Sequence, residues 1–188
     1  FDPQVPSWRQ YLFTEYHMHS ARNFFPQRAV RNERFKLIES LLPGEEHPDY
    51  ASTFSKLVQE ARLSSKEPVL NPHASVADAP EDVQSAYRRM RHPPRFELYD
   101  LESDPYEFRN LADLPEYSGT LRTLHQNLLA WRRRTADPLL REENLHRLAV
   151  EVSSVQSKKA ARKRVWRYPG YFLEDNPAAG RRRKHPDR

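Results

Sequence analysis

Two histidines in one short segment are the first residues whose types and spacing could do chemistry. His17 and His19 are two positions apart, so on an extended backbone their side chains point the same way and could share a metal ion. The sequence places no third ligand beside them, and a pair of half-exposed loop histidines is the simpler interpretation. Both interpretations stay open at this point.

Carboxylates crowd a second segment, which contains Asp100, Glu102, Asp104 and Glu107. They resemble a calcium loop only superficially, because the glycine and the terminal bidentate glutamate of an EF-hand are missing and Pro105 interrupts the spacing. A turn with surface carboxylates is the interpretation we favour. We therefore predict no calcium site in this segment. Because the two histidines also lack a third ligand, we predict no metal site in this chain.

Composition limits the classes of function that remain. The 188 residues are 37% hydrophobic with 16 prolines, which predicts a modest core. The absence of cysteine excludes disulfides and thiolate metal sites. The net charge is +5, and residues 181–184 form a basic cluster without interleaved aromatic residues. No apolar run is long enough to span a bilayer. We therefore predict neither a nucleic-acid nor a membrane partner. Because the chain begins Phe1-Asp2-Pro3, it is expected to be the interior of a longer protein.

Short strands are predicted where apolar and polar residues alternate. These strands are Tyr11–Tyr16, a hairpin over Gln27–Ile38 that turns at Asn32-Glu33, and Phe96–Tyr99 before the stop at Asp104-Pro105. The polar segment from His17 to Phe25 is predicted to be a loop.

A helix over Pro115–Thr135 is the clearest prediction, because apolar residues recur there every three or four positions. The stripe consists of Tyr117, Leu121, Leu124, Leu128 and Trp131, and it is expected to be buried against the sheet. Asp113 and Glu116 suggest a capping box, and Asp137-Pro138 ends the helix. Further helices are predicted around Phe54–Ala61, after Pro80, and from Glu142 to about Lys163, followed by an aromatic segment that docks the tail and a disordered end from Ala178.

Two segments carry a resemblance to a known family. The order of residues from Glu97 to Ala112, E-L-Y-D-L-x-x-D-P-x-E-x-x-N-L-A, resembles the closing motif of the type I sulfatases in the alkaline-phosphatase-like superfamily. The run from His19 through Phe25-Pro26-x-Arg28-Ala29-Val30 to residues 34–38 is similar to the N-sulfoglucosamine sulfohydrolase (heparan N-sulfatase) branch. The resemblance extends over roughly residues 8–137 and is loose between residues 43 and 94.

The resemblance implies a fold class and a domain organisation. The class is α+β, a small antiparallel sheet packed by a long C-terminal helix, as in the C-terminal subdomain of a sulfatase-like α/β fold. Residues 1–26 are expected to end the large sulfatase domain, residues 27–140 to form the C-terminal subdomain, and residues 141–188 to form a basic helical tail. The strand Tyr11–Tyr16 would then belong to the central sheet of the large domain and would lack a partner here.

The resemblance also implies where the chemistry lies. His19 matches a histidine that the branch carries at the rim of its substrate pocket, and His17 is a second substrate-binding candidate. Sulfatases use calcium and a formylglycine made in a C/S-x-P-x-R motif, but the serine segments here, such as Ser7-Trp8-Arg9 and Ser20-Ala21-Arg22, lack that spacing. No catalytic residue is therefore assigned, and both groups are expected in a missing N-terminal sulfatase domain.

The implied function is that of a C-terminal sulfatase portion, which completes a protein that hydrolyses sulfate esters or N-sulfate groups of sulfated sugars. Its partners would be the missing domain and, through it, the sugar. Such enzymes are periplasmic, secreted or lysosomal. The alternative is a stand-alone non-catalytic binding module or a truncated or split gene product.

Overall fold

The computed structural model describes residues 9–50, 76–155 and 166–174. The strands are Leu12–Tyr16 (β1), Gln27–Arg31 (β2), Phe35–Ser40 (β3) and Phe96–Asp100 (β4), and the helices are Glu81–Arg91 (α1), Ser118–Arg134 (α2), Glu142–Ser153 (α3) and Tyr168–Glu174 (α4). Short 3₁₀ turns lie at Ala21–Asn23, Pro115–Tyr117 and Pro138–Leu140. The predicted helix around residues 54–61 and the predicted disordered end from residue 178 lie outside the described residues.

The strands form one antiparallel sheet in the order β1-β2-β3-β4. This confirms the predicted α+β class and its small antiparallel sheet. The expectation that the first strand lacks a partner is wrong, because β1 pairs with β2 along its whole length, from Leu12 opposite Arg31 to Tyr16 opposite Gln27. A short connection between two strands favours such a hairpin-like antiparallel pairing.

One face of the sheet forms an apolar core. Val30, Leu37 and Leu98 lie in register on neighbouring strands and are fully buried. Helix α2 lies against this face, since the rings of Phe96 and His125 are 4.9 Å apart. Each buried leucine contributes about 1.5–3 kcal/mol relative to an exposed one, so this layer is a main source of stability.

The opposite face of the sheet carries α1. Because side chains alternate along a strand, Glu97 and Tyr99 lie on the face away from Leu98. Arg89 of α1 reaches this face, with its Nε 3.2 Å from Glu97 Oε2. The helix predicted after Pro80 is thus confirmed, and the sheet has a helix on each side.

The start and packing of α2 differ in part from the prediction. Pro115 lies in the first turn as expected, but the predicted capping box is wrong, because the cap position is Leu114 and no side chain bonds there. Leu124 and Leu128 are buried, whereas Tyr117, Leu121 and Trp131 are only half-buried. Fewer residues of the predicted apolar stripe are therefore fully buried than the sequence period suggests.

The chain folds into two compact units, the first formed by Phe1–His17 with Phe25–Leu128 and the second by Met18–Phe24 with Leu129–Arg188. In the second unit, α3 begins at Glu142 as predicted but ends at Ser153, ten residues before the expected Lys163. Helix α4 docks on α3 through Tyr171, whose hydroxyl donates to Glu151 Oε2 at 3.1 Å. The predicted domain boundaries stay predictions. No helix within the described ranges has the length and apolar character needed to cross a membrane.

Candidate functional site

A buried arginine organises the segment that follows β1. Arg28 of β2 has 0% relative exposure. Its Nη1 donates to the carbonyls of Gln27 at 2.8 Å and Tyr16 at 3.3 Å, and its Nε lies 3.8 Å from a carboxylate oxygen of Glu15. A buried guanidinium is tolerated only with such partners, so Arg28 ties β2 to the end of β1.

The same arginine determines the protonation pattern of His17. Arg28 Nη2 lies 2.7 Å from His17 Nε2. Because a guanidinium only donates hydrogen bonds, Nε2 must accept, and the proton of the neutral imidazole is on Nδ1. The backbone is held as well, since Phe25 N donates to His17 O at 3.1 Å. The His17 ring is therefore held through Nε2, and a metal ion on Nε2 would have to displace Arg28.

His19 is exposed and belongs to the second unit, so it is described separately from His17. It precedes a capped 3₁₀ turn, in which Ser20 N donates to Asn23 Oδ1 at 2.7 Å and Arg22 N donates to Ser20 Oγ at 3.3 Å. This capping fixes the backbone directly after His19. The substrate-binding roles of both histidines stay predictions.

The carboxylates after β4 hold a turn together, and one of them is not at the surface. Asp100 has 3% relative exposure and accepts two hydrogen bonds from Arg34, at 3.0 and 2.7 Å. The hydrogen bond from Arg34 lowers the pKa of Asp100. Asp104 accepts from the backbone N–H groups of Phe108 at 3.1 Å and Arg109 at 2.7 Å. The expected turn is present, but the expectation of surface carboxylates is wrong for Asp100.

Sequence reasoning missed a cleft of about 370 Å³ between α1 and the face of the sheet that carries Glu97. Tyr99 donates to Glu97 Oε2 at 2.5 Å, and Arg89 joins both side chains. Burial and the neighbouring Glu97 raise the pKa of Tyr99. Nothing in the run Arg88-Arg89-Met90-Arg91 distinguishes Arg89 from its neighbours, so only the fold reveals this network.

No family model matches the chain. Among curated proteins, it is 27% identical over 138 residues to the human N-sulphoglucosamine sulphohydrolase, an alignment that covers 71% of this chain and 24% of the human protein. It is 34% identical over 107 residues to an ulvan-active sulfatase of Formosa agariphila, which covers 55% of this chain and 16% of the relative. The chain is thus similar in sequence to sulfatases. A 48-residue match of 46% identity to a multifunctional alkaline phosphatase superfamily protein of Trinickia caryophylli agrees with the superfamily that the sequence motif indicated.

The chain spans about a quarter or less of the length of these relatives. A solved structure of a 2-O GAG sulfatase matches with a TM-score of 0.40 and 21% identity, over 70% of this chain and 18% of the solved one.

Proposed function

We propose that this chain is the C-terminal portion of a sulfatase that removes sulfate esters or N-sulfate groups from sulfated sugars. The observation that carries the proposal is the 138-residue alignment to N-sulphoglucosamine sulphohydrolase, which spans 71% of the chain. The motif from Glu97 to Ala112 supports it, because Asp104 holds the turn after β4 in a defined shape.

In this proposal the chain contributes substrate contacts and the catalytic groups lie in another part of the protein. The sequence contains no cysteine and no serine in the spacing S-x-P-x-R. We place formylglycine and calcium in the missing domain, where they would supply the nucleophile and neutralise the sulfate. His17 and His19 would act at the pocket rim, donating hydrogen bonds to hydroxyl or sulfate oxygens of the sugar.

The Arg28–His17 contact supports the role of this segment. A histidine whose Nε2 accepts from a buried arginine is held in one orientation, which suits a residue that positions a substrate. Donor groups fixed by a strand are effective because no reorganisation is needed on binding. The segment therefore fits binding and orientation better than acid–base catalysis.

The test uses the full-length protein that contains this chain, with a C/S-x-P-x-R domain upstream. Sulfate release is measured from N-sulfoglucosamine and from a small aryl sulfate. The proposal expects His19→Ala to lower kcat/KM for the sugar by about tenfold, the effect of one lost substrate contact, and to leave the aryl sulfate nearly unchanged.

The matched control is His146→Ala, which removes another histidine, on α3, and should change neither substrate. Equal loss on both substrates would place His19 in the reaction centre. An upstream region without the C/S-x-P-x-R motif would reject the sulfatase assignment in favour of a non-catalytic binding module.

A further inference from the structure

The cleft between α1 and the sheet is separate from the histidine segment discussed above. Its lining comes from the strands β2, β3 and β4, from α1, from the turn after β4, and from His47 and Pro93 in the connecting segments. No residue of the segment 17–25 contributes. Its volume of about 370 Å³ is within the range of small-molecule sites. The cleft is therefore a second place where this chain could hold a ligand.

Two aromatic rings form a platform at this cleft. Tyr106 and Phe108 stack with their centroids 5.9 Å apart and an angle of 24° between the rings. Tyr106 has 78% relative exposure, which is unusual for a large aromatic side chain and points to a contact surface.

The turn that carries the platform is held from three sides. Lys36 Nζ bonds both carboxylate oxygens of Glu107, at 2.8 and 2.7 Å, and Arg89 Nη2 donates to Phe108 O at 2.7 Å. The Asp104 carboxylate caps the same turn. These contacts stabilise Glu107 at a φ of +59°, a conformation that non-glycine residues rarely adopt. The platform is thus preorganised.

Two side chains of the cleft, Glu97 and His47, can form hydrogen bonds with a ligand. Within the described residues, the bonds that Glu97 accepts from Arg89 and Tyr99 both end on Oε2, so Oε1 can accept from a ligand hydroxyl. His47 Nδ1 accepts from Asp49 N at 3.2 Å, which puts the proton of the neutral ring on Nε2 as a donor. Burial lowers the pKa of His47 and so favours this neutral form.

The charges of the cleft balance. Among the described residues, Arg89 is paired with Glu97 at 3.2 Å and Lys36 with Glu107 at 2.7 Å. An anionic sugar would need to break one of these pairs and leave a carboxylate uncompensated. A neutral ring with polar edges and an apolar face meets no such penalty, because its weakly positive C–H groups pack on the negative face of an aromatic ring.

We propose that this cleft binds a neutral pyranose unit of a glycan, stacked on Tyr106 with its hydroxyls bonded to Glu97 and His47. It would be a glycan-binding site formed by the sheet, α1 and the turn after β4. Such a site would hold an unsulfated part of a polysaccharide near the protein.

The experiment is a titration of the full 188-residue chain with cellobiose by isothermal calorimetry, and with glucose 6-sulfate as the charged counterpart. We expect cellobiose to bind and glucose 6-sulfate to bind more weakly. Tyr106→Ala should lower the affinity for cellobiose about tenfold, the effect of losing one stacking contact, while Tyr106→Phe should retain it.

The control variant is Arg88→Ala, on the same helix as Arg89, where an exposed arginine paired with Glu81 is removed and cellobiose binding should not change. Absence of cellobiose binding to the native chain, or unchanged affinity in Tyr106→Ala, would overturn the proposal. If glucose 6-sulfate bound more tightly than cellobiose and its binding weakened with salt, the proposal that the ligand is neutral would be wrong. These measurements need no hydrolysis, so an absence of cellobiose binding would leave the sulfatase proposal unaffected. A failure of the sulfatase proposal would likewise leave the cellobiose measurements valid.

Discussion

Arg28 shows how one side chain links the core to the surface. It is fully buried on β2, and its hydrogen bonds end on Gln27, Tyr16 and His17. A guanidinium has five N–H donors in a fixed planar geometry, whereas a lysine ammonium has three donors without this geometry. The tautomer of His17, and thereby its value as a donor, follows from a residue in the neighbouring strand.

Replacing this arginine should therefore have a measurable effect on stability. Arg28→Lys keeps the charge but loses part of the set of hydrogen bonds, and we expect the free energy of unfolding to fall by about 1–3 kcal/mol. Arg31→Lys, an exposed arginine on the same strand, is the matched control and should change it by less than about 0.5 kcal/mol. Urea denaturation followed by tryptophan fluorescence measures both, and equal effects would contradict the role of Arg28.

His47 should make stability depend on pH. Burial lowers its pKa in the folded protein below the ordinary value of 6.5, so on acidification the unfolded chain takes up the proton first. The stability associated with neutral His47 is therefore complete above about pH 6.5 and is lost as the pH falls toward its folded pKa. His47→Gln should flatten the decrease in urea midpoint between about pH 7 and pH 5. Identical slopes for the variant and the native chain would refute this.

At the scale of elements, the sheet is stabilised by different chemistry on its two faces. The row of Val30, Leu37 and Leu98 lies on the face that α2 covers, whereas the other face carries the Arg89, Glu97 and Tyr99 network under α1. Hydrophobic burial therefore anchors α2, while α1 is held by polar contacts with specific geometry.

Shortening a leucine on the buried side of α2 should show that hydrophobic burial anchors this helix. Leu128→Ala should lower the free energy of unfolding by about 2–5 kcal/mol, because a fully buried leucine leaves a cavity when it is shortened. Leu121→Ala, on the same helix but half-buried, is the control and should have a clearly smaller effect. Comparable losses at the two positions, measured by chemical denaturation, would mean that α2 packs through another face.

At the scale of the whole molecule, the chain is similar in sequence to a minor part of much longer sulfatases. Under the proposed function, the nucleophile and the metal belong to the remainder of the protein. The chain then supplies a stable sheet and positioned side chains, and activity is a property of the complete polypeptide.

The isolated 188-residue chain should accordingly release no sulfate from an aryl sulfate or from N-sulfoglucosamine. Ion chromatography of sulfate, with an active sulfatase in the same buffer as positive control, provides the measurement. Release above that of buffer alone would show that residues of this chain carry the chemistry, and the assignment of the nucleophile to another domain would fail.

Local sequence determined the elements of this protein and indicated its similarity to sulfatases. The alternation in Phe96–Tyr99, the stripe through Leu124 and Leu128, and the proline at 115 predict strand, helix and helix start because they depend on neighbours close in the chain. The motif from Glu97 to Ala112 indicated sulfatases for the same reason.

The tertiary structure alone decided which distant residues meet. The pairing of β1 with β2, the 3.0 and 2.7 Å bonds between Arg34 and Asp100, and the burial of Arg28 depend on strand register. Register brings together residues that can lie dozens of positions apart, and a one-residue shift would turn each side chain to the other face. The cleft lined by Glu97, Arg89 and Tyr106 exists for the same physical reason, because it forms only where separate elements converge.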